Sequence, residues 1–141
     1  MKGLSVVIVG GGAGLGALLA RMAVAEGATG LGIIDLDGEA AEAALAPARA
    51  AGIPASFAAC DIRTGPAAHE AFAKVAAALG RVDTLINSAA IYPRKPILEI
   101  LDADWDASNA INVKGTYHMM VAAIRHMLRL ILLHCPLPLP R

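Results

Sequence analysis

Val9 to Gly16 reads VGGGAGLG, with Gly10, Gly11, Gly12, Gly14 and Gly16 falling within seven residues. Immediately before it stands SVVIV, Ser5 to Val9, a short run rich in β-branched residues. Such a run, stopped abruptly by glycines, predicts a strand buried on both faces, as in parallel sheets. From Gly14 to Glu26 the residues favour helix, with Gly27 placed as the C-terminal stop. The glycines therefore occupy a strand-to-helix turn. That is the context in which a backbone can approach a pyrophosphate while the helix N-terminus offers free N–H groups. Two registers satisfy the spacing, Gly10-xxx-Gly14-x-Gly16 and Gly12-x-Gly14-xx-Ala17.

A second apolar run, Leu31 to Asp35, ends in a carboxylate nineteen residues beyond Gly16. A carboxylate at that place accepts hydrogen bonds from ribose hydroxyls and repels a 2′-phosphate. Leu36 follows it and brings no cation to receive such a phosphate, so NAD is expected in preference to NADP.

Outward from this unit the alternation continues. Asp37 is placed to cap a helix through the Ala-rich stretch, which Pro47 should end or kink early. Pro54–Cys60 is a third strand candidate, and Pro66 suits the first turn of a helix that Gly80 stops near Leu79. Val82–Asn87 is a fourth strand candidate. After a loop carrying Pro93 and Pro96, one long helix is expected from Asp102, as its cap, to about Leu128. Strands alternating with helical stretches predict an α/β chain, a doubly wound parallel sheet with helices on both faces.

Composition narrows the function. Twelve basic residues balance twelve acidic ones, which leaves no electrostatic footprint for nucleic acid. The apolar fraction of 57% with 17% charged residues excludes disorder. His69, His118, His126 and His134 form neither HExxH nor an i, i+4 pair, so no metal site is expected. Cys60 and Cys135 form no CxxC pair and are expected to pack as small apolar groups. Residues 3–20 carry no charge and are long enough for a membrane anchor, with Gly10/Gly14 and Gly12/Gly16 matching GxxxG. Five glycines within seven residues make that stretch a poor continuous helix, at roughly 1 kcal/mol each relative to Ala. No membrane partner and a cytoplasmic location are therefore expected, with the anchor as the competing reading.

These motifs together resemble the short-chain dehydrogenase/reductases. Their TGxxxGxG turn is similar to Val9–Gly16, with Val9 in place of Thr. Asp61-Ile62 resembles the family's Asp-aliphatic pair, whose carboxylate faces the adenine amino group. Asn87-Ser88-Ala89-Ala90 is similar to NNAG, keeping Asn87 and Ala89. Trp105-Asp106 and Ile111-Asn112-Val113-Lys114-Gly115 resemble the W-D…V-N-x-x-G helix. The resemblance implies a Rossmann-type sheet of about four strands ordered 3-2-1-4, incomplete, with RLILLHC as a candidate remnant of a fifth. It implies hydride transfer between NAD and a small alcohol or carbonyl compound. It assigns cofactor contacts to Gly10, Gly14, Leu15, Gly16, Asp35, Leu36, Asp61, Ile62, Asn87 and Ala89. Asn112 corresponds to the Asn that helps hold a proton-relay water.

The same resemblance implies a Ser and a YxxxK pair that this sequence lacks. Four residues after Tyr92 stands Pro96, and four after Tyr117 stands Val121. The likeness covers residues 3–129 and stops abruptly at a Leu/Pro-rich stretch, 130–141. The expectation is a partial cofactor-binding domain over 1–129, truncated, with a frameshift as one candidate cause, and inactive as written. The complete protein would be a homo-oligomer and the truncated one prone to aggregate. The competing function is a non-catalytic module that binds NAD or another adenine nucleotide.

Overall fold

Val6, Val7, Ile8 and Val9 are each at most 1% exposed, which requires a strand covered on both faces. In the computed structural model, which describes residues 1–134, β1 (Ser5–Val9) is that strand. It pairs in parallel with β2 (Gly30–Asp35) on one side and β4 (Thr84–Asn87) on the other. Beyond β2 lies β3 (Ala55–Ala59), also parallel, so the sheet order is β3-β2-β1-β4. The expected doubly wound sheet of order 3-2-1-4 is therefore present.

Alternation along β1 and β2 divides the core in two. Val6, Ile8, Leu31 and Ile33 face α1 (Gly14–Ala25) and α2 (Gly38–Ala50) through Ala17, Ala20, Ala44 and Leu45. Val7, Val9 and Ile34 face α3 (Gly65–Leu79) and α5 (Thr116–His134) through Phe72, Val75, Met119 and Ala123. Each fully buried Val, Ile or Leu contributes about 1.5–3 kcal/mol. The alanines on α1 and α2 let those helices lie close to the sheet. Asp37 caps α2 as expected, its Oδ1 accepting the Ala40 N–H at 3.0 Å.

Several sequence expectations need correction. Pro47 does not end α2, which runs on to Ala50. The proline sits in the last turn, where the carbonyl it leaves unpaired belongs to exposed Ala43 and can bond to water. The single helix expected from Asp102 is instead α4 (Asp102–Asn109), a π-helical segment (Ala110–Gly115) and α5. Asp102 is not its cap, since the Asp104 side chain reaches back to accept the Leu101 N–H at 3.0 Å. Asp104 is held below the usual carboxylate range by its hydrogen bond to Lys95, then by that Leu101 N–H.

Arg129–His134 continues α5 and is no remnant strand, so among the described residues β4 stands at the sheet edge. Cys135 and the Leu/Pro stretch after it lie outside the described residues. Residues 3–20 form β1, the glycine turn and the first part of α1, not one spanning helix. Among the described residues no helix is long and apolar enough to cross a membrane.

Candidate functional site

At the carboxyl ends of the four strands lies a cleft of about 730 Å³. Its first wall is the glycine turn. Gly10 has φ +73°, and a Cβ there would stand 2.6 Å from the Ala89 nitrogen. Its N–H donates to the Ile34 carbonyl at 2.8 Å, which ties the turn to β2. A Cβ on Gly16 would run into the Gly10 carbonyl group and come within 3.0 Å of the Gly11 Cα. The turn is thus folded back on the first residues of α1 with no room for side chains between. This packing, with Gly14 opening α1, follows the Gly10-xxx-Gly14-x-Gly16 register.

The carboxylates stand at the ends of β2 and β3. Asp35 lines the cleft, its Oδ2 accepting the Gly12 N–H at 2.8 Å and its Oδ1 the Asp37 N–H at 3.0 Å. These bonds fix the carboxylate against the glycine turn. Asp61 also lines the cleft and is gripped by Arg63, whose Nε donates to Oδ2 at 2.8 Å and whose backbone N–H donates to Oδ1 at 3.0 Å. Hydrogen bonds from the Arg63 side chain and backbone hold the Asp61 carboxyl below the usual carboxylate range. Cys60 lies on the floor, and burial, then the charges of Asp61 and Glu70, push its thiol up, away from thiolate chemistry.

The opposite wall is held by amides. Asn112, in the π-helical segment, clamps the Ile91 backbone: Oδ1 accepts its N–H at 2.9 Å and Nδ2 donates to its carbonyl at 2.7 Å. The Thr116 hydroxyl donates to the Asn112 carbonyl at 2.8 Å and accepts from Asn87 Nδ2 at 2.5 Å. Asn87 is thereby tied from the end of β4 to the π turn, and its Oδ1 is buried without a partner. His118 Nδ1 lies 3.0 Å from the Ile62 carbonyl, which can only accept, so that nitrogen carries the proton. A Cβ on Gly115 would come 2.5 Å from Ile62 Cγ1. The π turn is where the chain leaves regular helix to meet Ile62 and Ile91 at once.

Of the residues singled out in the sequence, Gly10, Gly14, Leu15, Asp35, Leu36, Asp61, Ile62 and Ala89 line this one cleft. Gly16 packs against the turn, Asn87 bonds to Thr116 without lining the cleft, and Asn112 acts on the wall through Ile91. Sequence reasoning missed Ser88, Ala90, Ile91, Tyr92 and Arg94, which complete the far wall. Ser88 and Ala90 were marked only as departures from the NNAG-like stretch, and Ile91, Tyr92 and Arg94 only by a proline-bearing loop following a strand. Among the described residues no group of three or more His, Cys, Asp or Glu could hold a metal ion.

Comparison with known proteins agrees with this geometry. A family profile described as short chain dehydrogenase matches residues 5–130. D-threitol dehydrogenase of Mycolicibacterium smegmatis is 35% identical over 129 residues, covering 91% of this chain and 49% of that one. A solved NAD+-bound xylitol dehydrogenase superposes with a TM-score of 0.83 at 27% identity, covering 92% of this chain and 50% of that one. A short chain dehydrogenase from Burkholderia cenocepacia J2315 in complex with NADP gives 0.81 at 31%, covering 89% and 51%. The chain spans about half the length of the curated relatives it matches. With its sheet order, its glycine turn and this match in hand, the chain belongs to the short-chain dehydrogenase family.

Proposed function

We propose that these residues form the dinucleotide-binding portion of an oxidoreductase that moves hydride between NAD and a small alcohol or carbonyl substrate. The observation that carries this is the glycine turn packed without side chains against its own helix, with the Asp35 carboxylate bonded to it. A cradle that a single Cβ would fill fits a pyrophosphate. Gly10, Gly14, Leu15 and Gly16 would hold that group, Asp35 and Leu36 the adenine ribose, and Asp61 and Ile62 the adenine. Asn87 and Ala89 would support the remainder of the dinucleotide, and Asn112 positions the wall through Ile91. The bound dinucleotide supplies the hydride acceptor or donor.

Asp35 favours NAD, because a 2′-phosphate would meet a carboxylate already fixed by two N–H donors. Hydride transfer also needs a group to exchange a proton with the substrate oxygen. Tyr92 and Tyr117 lack a Lys four residues on, so binding without turnover is expected of these 141 residues. The glycine turn bonded to Asp35 would equally serve a second reading, a nucleotide-binding module with no catalytic step. Residues 1–129 as the cofactor-binding portion, a cytoplasmic setting and a homo-oligomeric whole protein belong to the first reading.

Calorimetry with NAD, ADP-ribose and NADP tests the assignment. NAD and ADP-ribose should bind alike, and NADP about tenfold more weakly, the value of one charge-assisted contact. Asp35→Ala should close that gap to about threefold. No binding by any of the three, or an unchanged ratio in the variant, would refute the role of Asp35 and the cradle.

A further inference from the structure

We infer that Arg94, held by Tyr92, is an anion-recognition subsite and that the substrate taken beside it carries a carboxylate. This deepens the oxidoreductase reading and rests on it. Three charged side chains line the cleft: Asp35, Asp61 and Arg94. The two carboxylates stand at the ends of β2 and β3, whereas Arg94 comes from the loop after β4. β4 lies two strand spacings from β2 and three from β3, about 10 and 14 Å. With Asp61 paired to Arg63, an anion entering the cleft is repelled by Asp35 and attracted at the β4 end.

The guanidinium is solvent-exposed and braced by its neighbour Tyr92. It lies over the Tyr92 ring, 5.5 Å from the centroid, and its Nη2 donates to the Tyr92 hydroxyl at 3.3 Å. Pro93 between them fixes one backbone torsion, and the Asn112 clamp on Ile91 pins the start of the segment. Among the described residues no carboxylate pairs with Arg94, while the adjacent Lys95 is taken by both oxygens of Asp104 at 2.7 and 2.9 Å. A guanidinium presents five N–H donors in a fork that matches a carboxylate bidentately. With one donor and one face used by Tyr92, the remainder stays free for such a group. A neutral polyol of the same length has no charge to offer it.

The test uses the 141-residue chain and a matched pair of probes, D-gluconate and D-sorbitol, which differ in one carboxylate against one hydroxymethyl group. NAD is titrated first, then each probe at saturating NAD, by calorimetry. Gluconate is expected to bind about tenfold tighter than sorbitol. Arg94→Gln should bring the two within about twofold, Arg94→Lys should keep part of the gap, and NAD affinity should stay within about twofold in both. Equal binding of gluconate and sorbitol by the unaltered chain would overturn the inference while leaving the cofactor assignment standing. Loss of NAD affinity in Arg94→Gln as large as the loss for gluconate would also overturn it, assigning the guanidinium to a cofactor phosphate. Failure of NAD itself to bind the unaltered chain would instead refute the reading on which the inference rests.

Discussion

Replacing Gly16 by alanine sets two effects against each other. Ala is a better helix former than Gly by about 1 kcal/mol, and Gly16 lies in the first turn of α1. The new Cβ, however, would lie 2.9 Å from the Gly10 carbonyl carbon and 3.0 Å from the Gly11 Cα. Carbon atoms in good contact sit about 3.5–4.0 Å apart, so the overlap with these two carbons is about 0.5–1 Å, and that with the Gly10 carbonyl oxygen is larger. Both neighbours are backbone, and Gly10 is itself anchored to Ile34, so the strain cannot be relieved by a rotamer change. Overpacking of this kind costs about 1–3 kcal/mol. The Gly10 carbonyl oxygen stands closer to the new Cβ than either carbon, which puts the cost at the upper end, so the clash wins with a net loss of about 2 kcal/mol and a melting temperature lower by roughly 5–10 °C.

The functional loss should exceed the structural one, because a turn displaced by most of an ångström no longer aims its N–H groups at a pyrophosphate. At least about a tenfold fall in NAD affinity is expected. Gly52→Ala is the control: φ there is +70° with nothing within 4 Å of the added carbon, in a loop far from the cleft. It should cost about 1–2 kcal/mol of backbone strain and leave nucleotide affinity unchanged. Thermal melts and calorimetry on the three proteins decide the matter. A Gly16→Ala protein that binds NAD as the parent does would refute the cradle.

Three further outcomes are expected. Phe72→Ala should destabilise the chain by about 3–5 kcal/mol in a denaturant titration, because this ring is 2% exposed between α3 and α5. Asp37→Ala should cost about 1 kcal/mol by the same measure, with Asp37→Asn nearer the parent, since the cap on the Ala40 N–H is lost only in the first. His126 has a buried Nε2 without a partner and packs edge-on to Phe72, and burial, then the Arg129 charge, push its pKa below the ordinary 6.5. The unfolded chain then binds the proton more readily, so stability is complete above pH 6.5 and is lost as pH falls from there through the folded value. Melting curves across pH 7 to 5 should fall less steeply for His126→Leu than for the parent, and parallel slopes would dismiss the effect.

How far the site could be read without coordinates depends on the range of the interactions that build it. The β1–turn–α1–β2 unit was legible because each of its parts answers a local demand. Val6 to Val9 has no polar residue to face water, and the glycines stop the strand. Asp35 closes the second strand at the distance a single βαβ unit sets. Even Pro47 was misjudged only in consequence: its ring does remove a hydrogen bond, but the chain affords that loss in an exposed last turn.

The far wall was a different matter. Nothing around Ile91 says that its N–H and carbonyl are both taken by Asn112, twenty-one residues later. The stretch from Asp102 to Leu128 carries a continuous helical pattern, so the π turn is invisible there. It exists because Asn112 must reach Ile91 while Gly115 lets the chain close on Ile62. Tyr92 and Arg94 acquire meaning only once that clamp presents them to the cleft. Local backbone preference and hydrophobic alternation were thus enough to specify the sheet, its helices and the cofactor turn. The opposing wall, its cation and the break in the long helix arose from contacts between segments far apart in the chain, which only the folded structure brings together.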